Sequence, residues 1–294
     1  MPHAAQPEGE SVLPKVSTAQ SATAETFAAL HRPGDPLLLP NAWDVGSAVA
    51  IADAGAKAIA TTSAGVAWSL GVPDGADLGP DRAAAVVERI VAAVGVPVSA
   101  DIESGYGVEP DAVAATVTAV IGAGAVGVNL EDRSGRPDAL LFTADEQAER
   151  LAAARAAASR LGVRLWINAR TDIFLAGVGP EERRLDDALE RAERYAAAGA
   201  DSLFVPGLVD PTALAELAAG PLPIAVMAGA GSPPVAELAA AGVVRISLGS
   251  AIVQAAYAVA ARAAAELLSA GTYGPVTDTI AYGAMNTALT AGSR

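Results

Sequence analysis

The chain has 294 residues, of which 52% are hydrophobic, and a net charge of −14 from 33 acidic and 19 basic residues. This length allows one large core. The acidic balance argues against nucleic acids and anionic membranes as partners, although a small anionic substrate could still bind beside a cation. The absence of cysteine excludes disulfides, thiolate metal sites and cysteine nucleophiles.

The N-terminal segment, residues 1–17, is rich in Pro, Ser and Glu, which predicts a flexible tail before a single domain spanning 18–294. The first 25 residues contain no unbroken apolar segment of the kind found in secretory signals. No run of about 18 apolar residues is free of charges and turn formers. We therefore expect a cytoplasmic protein that does not enter a membrane.

Beyond the tail, Ala-rich helical stretches repeatedly end in glycine and lead into short β-branched runs, a pattern that predicts helix, cap and strand. Seven such units follow a first strand, LLLPNAW (37–43), and they cover 53–63, 92–103, 122–132, 159–172, 198–207, 218–229 and 240–249. Eight mostly apolar strands alternating with helices predict an α/β fold, the (β/α)8 or TIM barrel. An open doubly wound sheet is the alternative, but no G-x-G-x-x-G motif follows the first strand.

After the last strand, the sequence predicts a helix over roughly 250–270, a loop at TYGP and an apolar segment over 277–290. This last segment has more hydrophobic surface than a free tail needs. We expect the C-terminal helical extension to pack against a neighbouring subunit.

Polar residues concentrate where the predicted strands end, while the strand beginnings are apolar. The strand ends read NAWD (41–44), TTSAG (61–65), SADIESGYG (99–107), NLED (129–132) and NARTD (168–172). Reactive groups of (β/α)8 barrels lie at the C-terminal ends of the strands. The sequence therefore predicts a functional site at that rim.

Asp101 and Glu103 lie two residues apart and so point to the same side of their strand. Two carboxylates at a barrel mouth repel each other unless a cation or a proton lies between them. Oxygen ligands without Cys or an available His favour Mg²⁺, with Mn²⁺ as the other possibility, and Glu131 can complete the ligand set. The alternative is that these are solvated loop carboxylates.

Arg170 ends the fifth strand, where an arginine suits recognition of a carboxylate or phosphate. An ion pair between Arg170 and Asp172 is the alternative. The polar turn after the second strand could receive an oxyanion, and Asn129 ends the neighbouring strand. The predicted substrate-binding residues are Thr61, Ser63, Ala64, Gly65, Asn129 and Arg170, with the substrate a small anionic carboxylate.

Seven motifs occur together in order from LHRPG (30–34) to RISLG (245–249): NAWDVGSA, SLGVPD, SADIESGYG, GVNLED, NARTD, AGADSLFVPG and GVVRISLG. In this series the chain resembles the isocitrate lyase/phosphoenolpyruvate mutase superfamily, particularly its small bacterial PEP-phosphonomutase-like members. The resemblance implies a barrel that assembles as a homodimer or homotetramer.

The resemblance also implies roles for individual residues. It implies that Asp101, Glu103 and Glu131 bind Mg²⁺, which grips the carboxylate and oxo group of a pyruvyl or enolpyruvyl unit. Arg170 would contact the substrate, and the turn from Ser63 to Gly65 would supply amides to the developing enolate oxygen. Asp74, which by spacing alone is a turn residue, would lie near the reacting centre.

The chain departs from this family in the loop at 133–142, RSGRPDALLF. Lyases of the family carry a K-K/R-C-G-H signature there, and the mutase and hydrolase branch carries a lysine and an N-S pair, but this loop has no Cys, His or Lys. Ala225 stands where the family has asparagine, and a family histidine is replaced near Pro206 and Gly207. The proton donor is therefore open between Asp74, Tyr106 and a metal-bound water.

These features favour a Mg²⁺-dependent lyase that cleaves a C–C bond next to a 2-oxo or 2-hydroxy acid through an enolate-like intermediate. The expected catalytic residues are Asp74, Tyr106 and Arg170. One alternative is P–C bond chemistry, as in a phosphonomutase or a phosphonopyruvate hydrolase. Another is a non-catalytic member that binds an oxo acid.

Overall fold

A computed structural model describes residues 14–76 and 78–292. Its strands are β1 Leu37–Leu39, β2 Asn41–Ala42, β3 Ile59–Thr61, β4 Val98–Asp101, β5 Gly127–Glu131, β6 Trp166–Arg170, β7 Ser202–Phe204, β8 Ile224–Met227 and β9 Val243–Ser247. Its helices are α1 Thr18–Ala29, α2 Val45–Asp53, α3 Ser63–Ser69, α4 Pro80–Ala93, α5 Pro110–Gly122, α6 Ala144–Leu161, α7 Arg184–Ala197, α8 Pro211–Ala218, α9 Val235–Ala240, α10 Ala251–Ala270 and α11 Tyr282–Gly292.

The strands form one parallel sheet in the order β1-β9-β8-β7-β6-β5-β4-β3-β2. Pro40 separates β1 from β2, and since proline has no N–H it interrupts the ladder there. The two pieces act as one barrel strand, because β1 pairs with β9 through Leu37 and Arg245 while β2 pairs with β3 through Asn41 and Ala60. The predicted (β/α)8 barrel, with its first strand at 37–43, is confirmed.

Glycine at the helix ends explains the repeat seen in the sequence. Gly162 caps α6 with φ 71°, a left-handed conformation that glycine adopts at little cost. The chain then enters β6, whose first four residues are buried. This is the predicted succession of helix, cap and strand.

Helix α1 covers the N-terminal end of the barrel. Phe27 is fully buried, and a Cβ on Gly127 would come within 2.6 Å of its Cε1 atom, so β5 needs glycine at this point. The His31 ring stacks on Trp166 with centroids 3.9 Å apart, and Gln20 donates to the Ile121 and Ala125 carbonyls at 2.8 and 3.2 Å. The tail predicted at 1–17 falls mostly on residues 1–13, outside the described residues.

The predicted C-terminal helix is present as α10. Helix α11 begins within the predicted apolar segment, ends two residues beyond it and packs against α2 and α4. Helix α10 extends away from its own barrel: of its residues, Val253 is the one that is buried. By length and composition, α10 is also the one helix of the described chain that could cross a membrane. The sequence prediction did not anticipate this, because Arg262 and Glu266 interrupt the apolar run.

A groove of about 840 Å³ lies on the outside of the barrel, over β1 and between α2 and α9. It is lined by apolar side chains that include Leu38, Ile51, Val235 and Ala239, and Leu38 is 50% exposed. In a (β/α)8 barrel the helix that follows the last strand packs at this position. Here α10 does not occupy it.

Candidate active site

The predicted site residues gather at the C-terminal rim of the barrel. Asp101, Glu131 and Arg170 are the last residues of β4, β5 and β6. In the parallel ladder Asp101 lies opposite Asn129, and Glu131 lies opposite Arg170. Neighbouring strands therefore bring residues 30 to 70 positions apart in the chain to one rim.

The Asp101 carboxylate is held by backbone amides. Ser63 N–H donates to Oδ2 at 3.2 Å, and Glu103 N–H donates to Oδ1 at 3.3 Å. The Asp101 amide itself donates to the Thr61 hydroxyl oxygen at 2.8 Å. Thr61 and the Ser63 amide, which were predicted to bind substrate, thus orient Asp101, and each carboxylate oxygen keeps lone pairs for a further ligand.

Helix α3 directs its N-terminus at the same place. Its first helical bond runs from Val66 N–H to the Thr62 carbonyl at 2.9 Å, so the amides of Ala64 and Gly65 have no intrahelical acceptor. A Cβ on Gly65 would lie 2.8 Å from both Thr62 and Trp43 side chains, so only glycine fits. The predicted oxyanion-binding turn is a helix N-terminus, which favours negative charge.

Glu103 and Tyr106 adopt φ angles of 50° and 54°, left-handed values that are costly for residues other than glycine. The Tyr106 hydroxyl and the Glu103 carboxylate share a hydrogen bond. Burial, together with Glu103 and Asp101, raises the pKa of Tyr106 above its usual range. Tyr106 therefore keeps its proton and is a weak acid.

Glu131, Arg170 and Asp172 form a chain of ion pairs. Arg170 Nη1 lies 3.0 Å from Glu131 Oε2, and its Nε and Nη2 donate to Asp172 at 2.6 and 3.0 Å. The predicted alternative for Arg170, an ion pair with Asp172, is thus present. Three of its five N–H bonds are engaged, which leaves two for a ligand.

The pKa of the Glu131 carboxyl is raised to about 8, mainly by burial and also by the nearby Asp172, Asp101 and Glu103, against the opposing effect of Arg170. Burial also raises the pKa of Asp74, again with a contribution from Asp101. Carboxylates at this rim are therefore crowded enough to favour a proton or a cation among them. The Asp74 residue as a whole is exposed, but its raised pKa lets the carboxyl retain its proton to a higher pH than an ordinary aspartate, so it can serve as an acid.

Arg133 and Asp172 are the site residues that the sequence analysis did not choose. Asp172 is fully buried, and Arg133 Nε donates to its Oδ2 at 2.8 Å. Both arginines lower the pKa of Asp172 against the opposing effect of burial. Arg133 directly follows the NLED motif, which is a sequence signal for a position at the rim. The expectation for this loop rested instead on the Cys, His and Lys that it lacks.

Asn129 lies below the rim, in a hydrogen-bonded chain across the barrel interior. Trp166 Nε1 donates to Ser202 Oγ at 2.9 Å, and Ser202 donates to Asn168 Oδ1 at 2.6 Å. Asn168 and Arg245 both donate to Asn129 Oδ1 at 2.8 Å. Because Arg245 can only donate, these hydrogen bonds fix the orientation of the Asn129 side-chain amide. The NH₂ group of Asn129 is then the end available to a ligand.

Within residues 14–76 and 78–292, no three acidic or histidine side chains are gathered closely enough to form a metal site. Asp101 accepts from amides, Glu131 pairs with Arg170, and Glu103 bonds with Tyr106. The three side chains nevertheless suit a hard cation, because all of their ligand atoms are carboxylate oxygens. Burial and the neighbouring carboxylates raise the pKa of Glu131, and a cation would relieve this repulsion.

Known proteins resemble this chain over most of its length. The family model for phosphoenolpyruvate phosphomutase matches residues 27–268. An uncharacterised Mycobacterium tuberculosis (H37Rv) protein, Rv1998c, is 40% identical over 258 residues, which cover 81% of this chain and 87% of that protein. The crystal structure of a "putative phosphonomutase" from Burkholderia cenocepacia J2315 has 47% identity and a TM-score of 0.77, covering 86% of this chain and all of that one.

Solved relatives with stated activities are more distant. Oxaloacetate acetylhydrolase bound to its product oxalate has 28% identity and a TM-score of 0.80, covering 94% of this chain and 95% of that one. Other structures with this fold include a 2,3-dimethylmalate lyase and a phosphonopyruvate hydrolase complexed with oxalate and Mg²⁺, the latter at 21% identity. The chain belongs to the phosphoenolpyruvate phosphomutase family, within a superfamily of mutases, lyases and hydrolases that act on oxo acids.

Proposed function

We propose that the protein is a Mg²⁺-dependent lyase that cleaves a C–C bond next to a 2-oxo or 2-hydroxy carboxylate. The observation that carries the proposal is the α3 N-terminus, whose Ser63 amide donates to Asp101 and whose next two amides, of Ala64 and Gly65, lack an intrahelical acceptor. Amides preorganised in this way stabilise an oxyanion that develops during the reaction.

Asp101, Glu103 and Glu131 would hold the Mg²⁺, with Mn²⁺ as the other candidate. When bound, the ion supplies positive charge that polarises the carboxylate and oxo or hydroxy oxygens of the substrate. Glu131 must then exchange its contact with Arg170, or reach the ion through water. The amides of Ala64 and Gly65 would stabilise the enolate oxygen left when the C–C bond breaks.

The carbon that keeps the electron pair of the broken bond must receive a proton. We assign this role to Asp74, because burial and the charge of Asp101 raise the pKa of its carboxyl and so favour the protonated form. Tyr106 is the weaker donor, since its pKa is raised well beyond the range in which it gives up a proton readily. Arg170, through its two remaining N–H bonds, would orient the substrate.

A proton and phosphorus NMR time course tests the reaction. Protein with Mg²⁺ is mixed with oxaloacetate, 2-methylmalate, 2,3-dimethylmalate, isocitrate, methylisocitrate, phosphonopyruvate and phosphoenolpyruvate, with Asp101→Asn as control. Pyruvate or glyoxylate formed only by the wild type with metal supports the lyase. Oxalate binding without any turnover would instead support a non-catalytic oxo-acid-binding protein.

Phosphorus–carbon chemistry is the second candidate, and the 47% identity to the Burkholderia cenocepacia protein favours it. In the same NMR experiment, release of phosphate from phosphonopyruvate, or its conversion to phosphoenolpyruvate, would replace the C–C lyase as the proposed function.

The groove over β1 and the exposed helix α10 support association between copies of this chain, and we propose that the protein is a homodimer or homotetramer in the cytoplasm. In α10, the exposed fractions of Leu267 and Leu268 are 52% and 85%, and no helix among the described residues covers the groove beside it. We propose that α10 of a second copy fills this groove. Arg262 and Glu266 would each cost about 2.5–3.5 kcal/mol at the centre of a membrane, so a protein surface suits this helix better.

Leu268→Glu should shift the protein to monomer in light-scattering chromatography, because a charge would be buried in the groove. Val108→Glu, at a loop position that is 45% exposed and lies outside α10 and the groove, is the control. A Leu268→Glu protein with unchanged mass would show that α10 does not mediate assembly.

A further inference from the structure

Arg133 places a partly free guanidinium at the rim of the proposed site. Its Nε is committed to Asp172, yet the side chain is 43% exposed. Among the residues in the described ranges, no hydrogen-bond partner is found for its two terminal nitrogens. Four N–H bonds in a planar fork are therefore available to a ligand.

The backbone around Arg133 is fixed rather than loosely extended. Arg133 and Leu141 form an antiparallel bridge, Ser134 N–H donates to the Leu140 carbonyl at 3.1 Å, and Phe142 N–H donates to the Asp132 carbonyl at 2.8 Å. Loop 133–142 is thus a hairpin, and Arg133 lies at its base.

The far end of the hairpin is anchored as well. Phe142 lies beneath the Arg136 and Arg150 guanidinium groups at 4.9 and 4.1 Å, and its carbonyl accepts from Arg191 at 3.0 Å. Arg136 also bonds with Glu146 at 2.7 Å. These contacts hold Arg133 in place before any ligand arrives, which reduces the entropic cost of binding.

The charge around Arg133 identifies what it can bind. Its guanidinium bonds with Asp172 at the end of the ion-pair chain, and its positive charge opposes the rise in the pKa of Asp74, the proposed acid. All three guanidinium nitrogens of Arg170 contact Glu131 or Asp172, whereas in the part of the chain that the structure describes only Nε of Arg133 bonds to a carboxylate. Arg133 is therefore the better placed of the two to receive a second anionic group.

We propose that Arg133 binds the distal carboxylate of a 2-oxo or 2-hydroxy dicarboxylate. The first carboxylate would bind the cation that Asp101 holds and the N-terminus of α3. This inference rests on the proposed function, because it assigns the far end of the same substrate. A carboxylate matches the guanidinium fork with two parallel hydrogen bonds. A phosphonate dianion is disfavoured there, because carboxylates already outnumber arginines at the rim and the second negative charge of a phosphonate would add to this excess.

Isothermal titration calorimetry with Mg²⁺ and three probes tests this. Oxalate occupies the near end alone, and 3,3-difluoropyruvate and 3,3-difluorooxaloacetate differ by the distal carboxylate. Arg133→Gln should weaken the binding of difluorooxaloacetate by about 10- to 100-fold and leave the affinities for the other two probes within about twofold of the wild type. Arg133→Lys should recover part of the loss. Arg164→Gln, at an exposed arginine that precedes β6 and pairs with Glu25, should change none of the three.

Each other outcome would overturn the inference in an identifiable way. Equal weakening of all three probes by Arg133→Gln would mean that Arg133 acts only by holding Asp172. Unchanged affinities would mean that it does not touch the ligand. With phosphonopyruvate titrated as a fourth probe, a larger loss of affinity for it than for difluorooxaloacetate would assign the subsite to phosphonates. Absence of oxalate binding to the wild type would overturn the proposed function itself.

Discussion

The Asp101 side chain carries two tasks through the same two oxygens. Both accept backbone N–H groups, and their remaining lone pairs are the ones that would bind the proposed cation. Asp101→Asn removes the charge and turns an NH₂ group toward one of those amides. We expect turnover and Mg²⁺-dependent oxalate binding to fall by at least about 100-fold, because a direct ligand is lost. The free energy of unfolding should fall by about 1–3 kcal/mol, leaving the fold intact.

Calorimetry with oxalate and circular dichroism during urea unfolding measure these two effects separately. Asp138→Asn, an exposed aspartate in loop 133–142, is the matched control and should change neither. An Asp101→Asn protein with normal turnover would show that the cation, if one is used, lies elsewhere.

At the scale of the element, helix α3 depends on the small size of Gly65. A Cβ there would meet Thr62 and Trp43 at 2.8 Å, so Gly65→Ala must displace the helix N-terminus. We expect a loss of about 1–3 kcal/mol in stability and a fall in kcat of about 10- to 100-fold, because the amides move relative to the substrate.

Gly46 provides the control for this prediction. In α2 a Cβ on Gly46 would make ordinary contacts at 3.6 and 3.7 Å, so Gly46→Ala should leave kcat unchanged and stability unchanged or up to about 1 kcal/mol higher. Steady-state kinetics and thermal unfolding of both variants decide the matter. Equal kcat values for the two would remove the α3 amides from the mechanism.

The segment that follows α1 should make the protein sensitive to acid. Burial lowers the pKa of His31 from 6.5 to about 3, and repulsion from Arg245 adds to the effect. Between these values the unfolded chain binds a proton that the folded chain does not. Stability from this group is therefore complete above pH 6.5 and declines by about 1.4 kcal/mol per pH unit below it, until about pH 3.

His31→Asn keeps a donor for the Phe27 carbonyl but removes the titratable ring. Urea unfolding at pH 7.5 and 5.0 should show the wild type losing about 2 kcal/mol more than the variant over this interval. The variant should be less stable at pH 7.5, because its stack on Trp166 is lost. Parallel losses in the two proteins would contradict a neutral buried imidazole.

At the scale of the whole molecule, the barrel could be predicted because its signals are local and repeated. Glycines such as Gly162 mark helix ends, and apolar runs mark strands that are covered on both faces. The position of the site followed from the same pattern, since parallel strands end at one rim. Asp101, Glu131 and Arg170 are found there for this reason.

The partners of those side chains could not be predicted, because they depend on register and rotamer. Arg170 pairs with both Glu131 and Asp172, whereas the sequence left an ion pair and a substrate contact as alternatives. Asn129 is shared with Arg245, more than 100 positions away, and periodicity gives no sign of that contact. The direction in which α10 leaves the barrel is equally non-local.

Helix α1 also has a consequence for the order of events during synthesis. It is the first helix of the described chain to leave the ribosome, but the surfaces that receive it are made much later. Phe27 packs against Gly127, and His31 against Trp166. At about 5–20 residues per second, Phe27 waits on the order of 5–20 s for its contact. The N-terminal end of the nascent barrel therefore stays uncovered until β5 and β6 have been made, although α1 is the first of the described helices to be synthesised.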